Sequence, residues 1–388
     1  MRVAERTDYD VIVIGGGTMG TAAAWTLGKR GLSAVMLEQF QHIHDQGSHG
    51  GDTRVIRHAY AESPEYVPLV QRADELWQEL SADTGETILV RCGGLELAAP
   101  GYLHARATRA SADEHGLAYE WLSPAEARAR WPQFAVPDDW DALFSPDSGF
   151  VLTEPALRQM GSLARRLGVT IQEHAPVLAW GTENDAVWVR TPAAIYRGQA
   201  AIITAGAWAS RLLADLGLPL EVRRKTLWWQ RVEAPEEYAP DRFPVFICDS
   251  AFGEIYGFPI SGVPGLKIAN HKGGQATDPE TVDRTTRPGE NQDCLDLARE
   301  VLPGVQAHVV KSAVCLYTMT PDTDFIVDRH PEHPRIAIGA GFSGHGFKFA
   351  PAIGELLADL ALTSTAVPPT RLSISRFSPQ PLITSTAG

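Results

Sequence analysis

The sequence predicts a mixed α/β fold in which a unit of parallel strands and packed helices is interrupted twice by a unit rich in antiparallel sheet. Three observations carry this. Residues 10–20 (DVIVIGGGTMG) read as strand, glycine turn and helix start. Residues 200–206 and 335–341 repeat the run from strand to small residues and lead into helix-like stretches. Segments 86–100 and 221–271 instead alternate apolar and polar residues, as half-buried antiparallel strands do. The boundaries that follow are 1–85, 150–220 and 315–388 for the first unit, and 86–149 and 221–314 for the second. A site between the two units is expected.

Each element has its own reason. Residues 11–14 are a short apolar run suited to a buried parallel strand. Gly15, Gly17 and Gly20 follow in G-x-G-x-x-G spacing: a tight turn, room for a pyrophosphate, and close packing of helix on strand. Residues 18–30 are rich in helix formers, and Gly31 stands where a C-terminal cap belongs. The next strand, 34–37, ends in Glu38, a carboxylate placed for a ribose hydroxyl. Together these predict a dinucleotide site. The stretch GSHGGDTRVIRH at 47–58 is dense in glycine, hydroxyl and cationic groups, and its arginines, Arg54 and Arg57, suit bidentate capture of a carboxylate. Further on, 207–216 and 353–362 read as helices. The stretches 226–232 and 254–258 show the period-two alternation most clearly.

Bulk properties narrow the function class. At 388 residues the chain has ample size for two or three domains. A net charge of −13 argues against nucleic acid, whose phosphates demand a basic surface. No apolar stretch is long enough for a membrane helix, and the polar N-terminal residues do not resemble a secretory signal. The four cysteines (Cys92, Cys248, Cys294, Cys315) are scattered and lack C-x-x-C spacing, as reduced thiols of a cytoplasmic protein would be. The histidines show no zinc-type spacing, so no metal is expected.

The pieces GGGTMG, GSHGGDTRVIRHAY, EYVPL, ELW, SPDSG, TAGAW, IYGFP, GLKIANH, AVCLYTMTPD, FIVD and GFSGHGFKFAP run in order from residue 11 to about residue 360. In these the chain resembles the monomeric sarcosine oxidase and N-methyltryptophan oxidase family of D-amino-acid-oxidase-like flavoproteins. The resemblance implies a Rossmann-like FAD-binding domain with an antiparallel-sheet-rich substrate domain, acting as a monomer. It also implies FAD held covalently through Cys315, with Arg54 as the nearby cation that favours the thiolate. Gly15, Gly17, Met19, Gly20, Glu38, His49, Thr53, Arg54, Val177, Gly206 and Trp208 are the implied cofactor contacts. Gly341, Gly344, Gly346 and Lys348 complete them where the chain passes the flavin ring.

For the substrate, the resemblance implies a carboxylate clamp of Arg57 and Lys348, with Tyr256, His271 and Tyr317 lining the amine. Lys267 is implied on the opposite flavin face, where a cation stabilises superoxide as O2 is reduced. The implied reaction passes a C–H of a neutral secondary amine to the flavin as a hydride equivalent. The imine then hydrolyses and O2 leaves as H2O2; sarcosine would give glycine and formaldehyde.

The chain departs from the family at three points. Gly50 replaces the second histidine of GSHHGDTR, which puts the ease of flavin attachment in question. Ile247 stands where a methionine adjoins the substrate, and Lys272-Gly-Gly-Gln275 replaces a more aromatic loop. Pocket size is therefore open, as is the facing of Trp228 and Trp229. Alternatives within the class are oxidases of bulkier amines: N-methyltryptophan, pipecolate, proline or a fructosyl amino acid. An NAD-dependent dehydrogenase fits the glycine turn and Glu38 alone, and a non-catalytic flavin-binding protein is the remaining reading.

Overall fold

The computed structural model describes residues 8–377. Its first sheet has Asp8–Ile14 between Ala34–Leu37 and Ile195–Ile203, all parallel, extended by Thr170–Gln172 on one side and Ile336–Ala340 on the other. The three strand-to-glycine segments thus enter one sheet. Ile326–Arg329 and the pair Ala179–Glu183 and Ala186–Arg190 join it antiparallel.

Helices Thr18–Lys29, Thr153–Arg166 and Ala350–Leu362 cover one face. The helix Thr18–Lys29 is buried all round, from Met19 to Gly28, so its alanines serve as thin packing surface rather than as one apolar stripe. It crosses Ala350–Leu362 so closely that a Cβ at Gly354 would lie 2.6 Å from the Ala22 carbonyl carbon. The other face is closed by apolar side chains from 175–177, 187–189 and 209–220.

A second sheet of nine strands contains Gly94–Ala98, Glu221–Val232, Val245–Ser250, Gly253–Phe258, Leu266–Asn270 and Val305–Met319. The last of these runs across residue 315. A third, small sheet joins Thr53–Ile56, Gly149–Leu152 and Leu89–Arg91 between the two larger ones.

Two local expectations differ from what the chain does. Gly94–Ala98 is buried on both faces rather than one, because helix His104–His115 covers its second face and His104 pairs with Glu96 at 2.9 Å. Residues 207–216 form three short turns (Gly206–Trp208, Ala209–Leu212, Ala214–Leu216) instead of one helix. The Trp180 indole takes the Leu212 carbonyl at 2.7 Å, removing an acceptor that a continuing helix would use.

Candidate active site

The first turn builds the site. Gly15 has φ +95°, and a Cβ on Gly20 would sit 1.8 Å from the Gly15 carbonyl oxygen, so both positions need glycine. Helix Thr18–Lys29 begins without a side-chain cap and without an acid in its first turn, leaving its N–H groups and positive dipole end free for an anion. Glu38 accepts from Gly16 N at 2.7 Å and Phe40 N at 2.8 Å. Burial would raise the pKa of this carboxyl, but hydrogen bonds from His44, Phe40 and Gly16 hold it below its usual range.

These groups border an elongated cavity of about 430 Å³. Gly15, Gly17, Met19 and Glu38 line one end, and Val177, Gly206 and Trp208 lie alongside. His49, Arg54, Gly341, Gly344 and Gly346 line the cavity as well, with His49 packed on His44, the imidazole beside Glu38. Gly20, Thr53, Cys315 and Lys348 do not line it: Gly20 packs on the turn, and Thr53 binds Lys267. The fit to a dinucleotide is supported by two features besides volume. His49 Nε2 is buried with no hydrogen-bond partner among the described residues, and Gly17 offers open space where a Cβ would stand. A strap from the second sheet closes the nucleotide end. There Glu280 accepts from Trp208 at 2.7 Å and Arg211 at 3.0 Å, while Arg211 grips Asp278 with two 2.8 Å bonds.

A smaller cavity of about 60 Å³ adjoins the first, and Arg54, Tyr317, Gly344 and Phe347 line both. Here Arg57, Lys348, Tyr256 and His271 converge. Residues missed by sequence reasoning also line it: Glu62, Glu254 and His345. Arg57 lies in the segment after Thr53–Ile56, and its Nη2 donates to both Glu62 oxygens, at 2.9 and 2.7 Å. Burial lowers the Arg57 pKa, yet Glu62, Glu96 and Tyr60 together drive the net shift upward; burial raises that of Glu62, and Arg57, His345, His104 and Lys348 together drive its net shift downward. The pair is ionised.

Lys348 is fixed from behind. Trp77 holds its carbonyl at 2.8 Å and stacks on Phe347. The Lys348 ammonium donates to His345 O at 2.9 Å and Tyr60 Oη at 3.1 Å. His345 Nε2 faces the Thr323 carbonyl at 3.0 Å and so carries the proton; Nδ1 then accepts from Tyr60 at 2.7 Å. That leaves the Tyr60 oxygen to accept from Lys348. Burial and Arg57 bring the Lys348 pKa down to about 7, with Glu62 opposing. Burial takes His271 and His345 down to about 3 and pushes Tyr256 up to about 12, so all three are neutral.

Cys315 and Lys267 sit behind the cavities. Cys315 is buried beside Tyr317, Leu227 and Trp229. Burial raises its thiol pKa, opposed by Arg54, Lys267, Lys225 and Arg284. Arg54 itself is held by the carbonyls of Thr53, Ser48 and Gly50. Lys267 donates to the carbonyls of Gly51 and Thr53 and to the Thr53 hydroxyl, and lies 4.4 Å from the Phe258 ring centre. Burial lowers its pKa strongly, while these oxygens favour the ammonium. Trp229 faces this group and Trp228 faces the second core. Open space surrounds the Gly50 Cβ position, and Ile247 lines the smaller cavity.

A family model described as "FAD dependent oxidoreductase" matches residues 10–360. The chain is 39% identical over 362 residues to a monomeric sarcosine oxidase of Bacillus sp. (strain B-0618), covering 92% of this chain and 93% of that protein. It is 37% identical over 373 residues to an N-methyl-L-tryptophan oxidase of Citrobacter koseri, covering 95% and 99%. The fold is similar to the crystal structure of glycine oxidase from Geobacillus kaustophilus, with TM-score 0.79, 24% identity and coverage of 96% and 99%.

Proposed function

The chain belongs to the FAD-dependent oxidoreductase family, and from that premise we propose that it oxidises the N-methyl C–H of a small secondary amino acid to an imine, with O2 reduced to H2O2. The observation that carries this reading is the meeting of Arg57, Lys348, Tyr256, Tyr317 and His271 around one small cavity that shares a wall with the dinucleotide cavity.

Bound FAD supplies the two-electron acceptor. The glycine turn and the N-terminus of helix Thr18–Lys29 would take its pyrophosphate, Glu38 a ribose hydroxyl, and the backbone at Val177 the adenine. Residues 341–346 would face the ring, where Gly341, Ser343 and Gly344 all have positive φ. Cys315 is the attachment residue in this reading, and Arg54 is the cation that most strongly opposes the effect of its burial.

Arg57 and Lys348 hold the substrate carboxylate, a planar fork beside a point charge. Taking it requires Glu62 to release Arg57. Tyr256, Tyr317 and His271 are uncharged, so none of the three pairs with an ammonium, and the cations Arg57 and Lys348 favour the neutral amine. Only the neutral amine has the lone pair that imine formation uses. Lys267 is assigned to oxygen activation. The protein acts as a monomer in this reading and needs no metal.

The test is anaerobic flavin bleaching and aerobic peroxide release over a panel of sarcosine, bulkier N-methyl amino acids, cyclic imino acids and their carboxamides. N-methyl acids should reduce the flavin and their amides should not. Bleaching by amides as fast as by acids would remove the clamp; a flavin band in the purified protein excludes the dehydrogenase reading.

A further inference from the structure

The substrate cavity has a second charged end. Strand Gly253–Phe258 brings Glu254, Tyr256 and Phe258 to one face by alternation, and Tyr256 and Glu254 both line the cavity. Across the sheet, Ile247 stands opposite Tyr256, and Asp249 opposite Glu254. Two residues along a strand is about 6.6 Å, so Glu254 lies one side-chain length beyond the tyrosine that borders the amine.

Its ion pairs are long. Lys272 Nζ is 3.7 Å away and bonds instead to Asp249 at 2.7 Å. His104 Nδ1 is 3.8 Å away, and its other nitrogen pairs with Glu96 at 2.9 Å. No donor comes within hydrogen-bond distance of the Glu254 carboxylate among the described residues, although its side chain is only 15% exposed. A carboxylate so enclosed gains most from a ligand that brings its own donor. Glu62 adds a second anion to the same wall once a substrate carboxylate has displaced it from Arg57. Sarcosine has no side chain to send towards Glu254.

Resting on the functional reading above, we propose that Glu254 is a specificity-determining residue, and that the preferred substrate is an Nα-methyl amino acid whose side chain carries an ammonium or guanidinium group. The α-carboxylate lies on Arg57 and Lys348, the amine beside Tyr256, and the side chain runs past Ile247 so that its cation meets Glu254. Ile247 supplies an apolar wall for the methylenes between the two polar ends.

The experiment compares kcat/KM for Nα-methyl-lysine and Nα-methyl-ornithine with that for Nα-methyl-norleucine, a neutral analogue of similar length. Wild type should prefer the cationic substrates about tenfold to a hundredfold, the range of one charge-assisted hydrogen bond. Glu254→Gln should collapse that ratio to near one. Lys272→Met, at an exposed side chain, should widen it by removing a competing cation. Equal use of norleucine and lysine derivatives by wild type, or an unchanged ratio in Glu254→Gln, overturns the assignment while leaving N-methyl oxidation intact. Failure of every N-methyl amino acid to bleach the flavin sinks the underlying function and this proposal with it.

Discussion

Lys348 and Lys267 are both buried lysines, and their surroundings give them different expected behaviour. Burial and the Arg57 charge bring the Lys348 pKa down to about 7. A carboxylate ligand needs it protonated, so binding should be full below about pH 7 and weaken as pH rises through that value. The limit is about tenfold per pH unit, until the raised pKa of the bound state is reached. Titrating the flavin spectrum with acetate at several pH values measures this, and Lys348→Met should flatten the profile. A wild-type affinity constant from pH 6 to 9 would show that Lys348 does not titrate there. Lys267 instead has oxygen acceptors for its ammonium. Lys267→Met should slow reoxidation of the reduced flavin by two to three decades, since a preorganised cation at a developing anion is worth about 3–4 kcal/mol. Anaerobic reduction by substrate should change much less. Stopped-flow traces in which reduction is the step that slows would move Lys267 to the substrate side.

At the scale of elements, the close crossing of helices Thr18–Lys29 and Ala350–Leu362 makes Gly354 a test of packing. Gly354→Ala puts a methyl against the Ala22 backbone and should cost about 1–3 kcal/mol. An unchanged Tm by differential scanning calorimetry would mean that the helices have slack to separate. Much of this frame was legible beforehand: the strands at 11–14 and 34–37 and the helix from Thr18 come from local apolar runs and glycine spacing. The broken helix at 207–216 was not legible, because its cause is an indole that packs from Trp180. Glu62 and Glu254 were missed for the same reason. Nothing within its own segment marks Glu62, and partners distant in sequence place both on the cavity wall. Glu254 had one available signal, its even spacing from Tyr256.

At the scale of the molecule, the cofactor cavity is assembled from both large sheets, with the turn at Gly15 on one side and Leu316 to Thr318 on the other. Covalent attachment at Cys315 would therefore tie the two together. Wild-type protein precipitated with acid should keep its yellow colour in the pellet, and Cys315→Ala should release FAD to the supernatant. A yellow supernatant from wild type would refute the linkage, with Gly50 the first position to restore to histidine. In the Cys315→Ala background, Arg211→Ala should speed FAD loss, because the strap then loses its grip through Asp278 and Glu280. Fluorescence of released flavin follows the rate, and an unchanged rate would remove the strap from the exit path.

The Lys267 ammonium also acts as a rivet. It ties strand Leu266–Asn270 to the stretch around Gly51 and Thr53, so the platform under Tyr256 and the segment that carries Arg54 move together. Hinged opening between them would have to break these hydrogen bonds together. Within the small cavity the contact that must part is then the ion pair between Arg57 and Glu62, because a carboxylate can take Arg57 only after Glu62 has let it go.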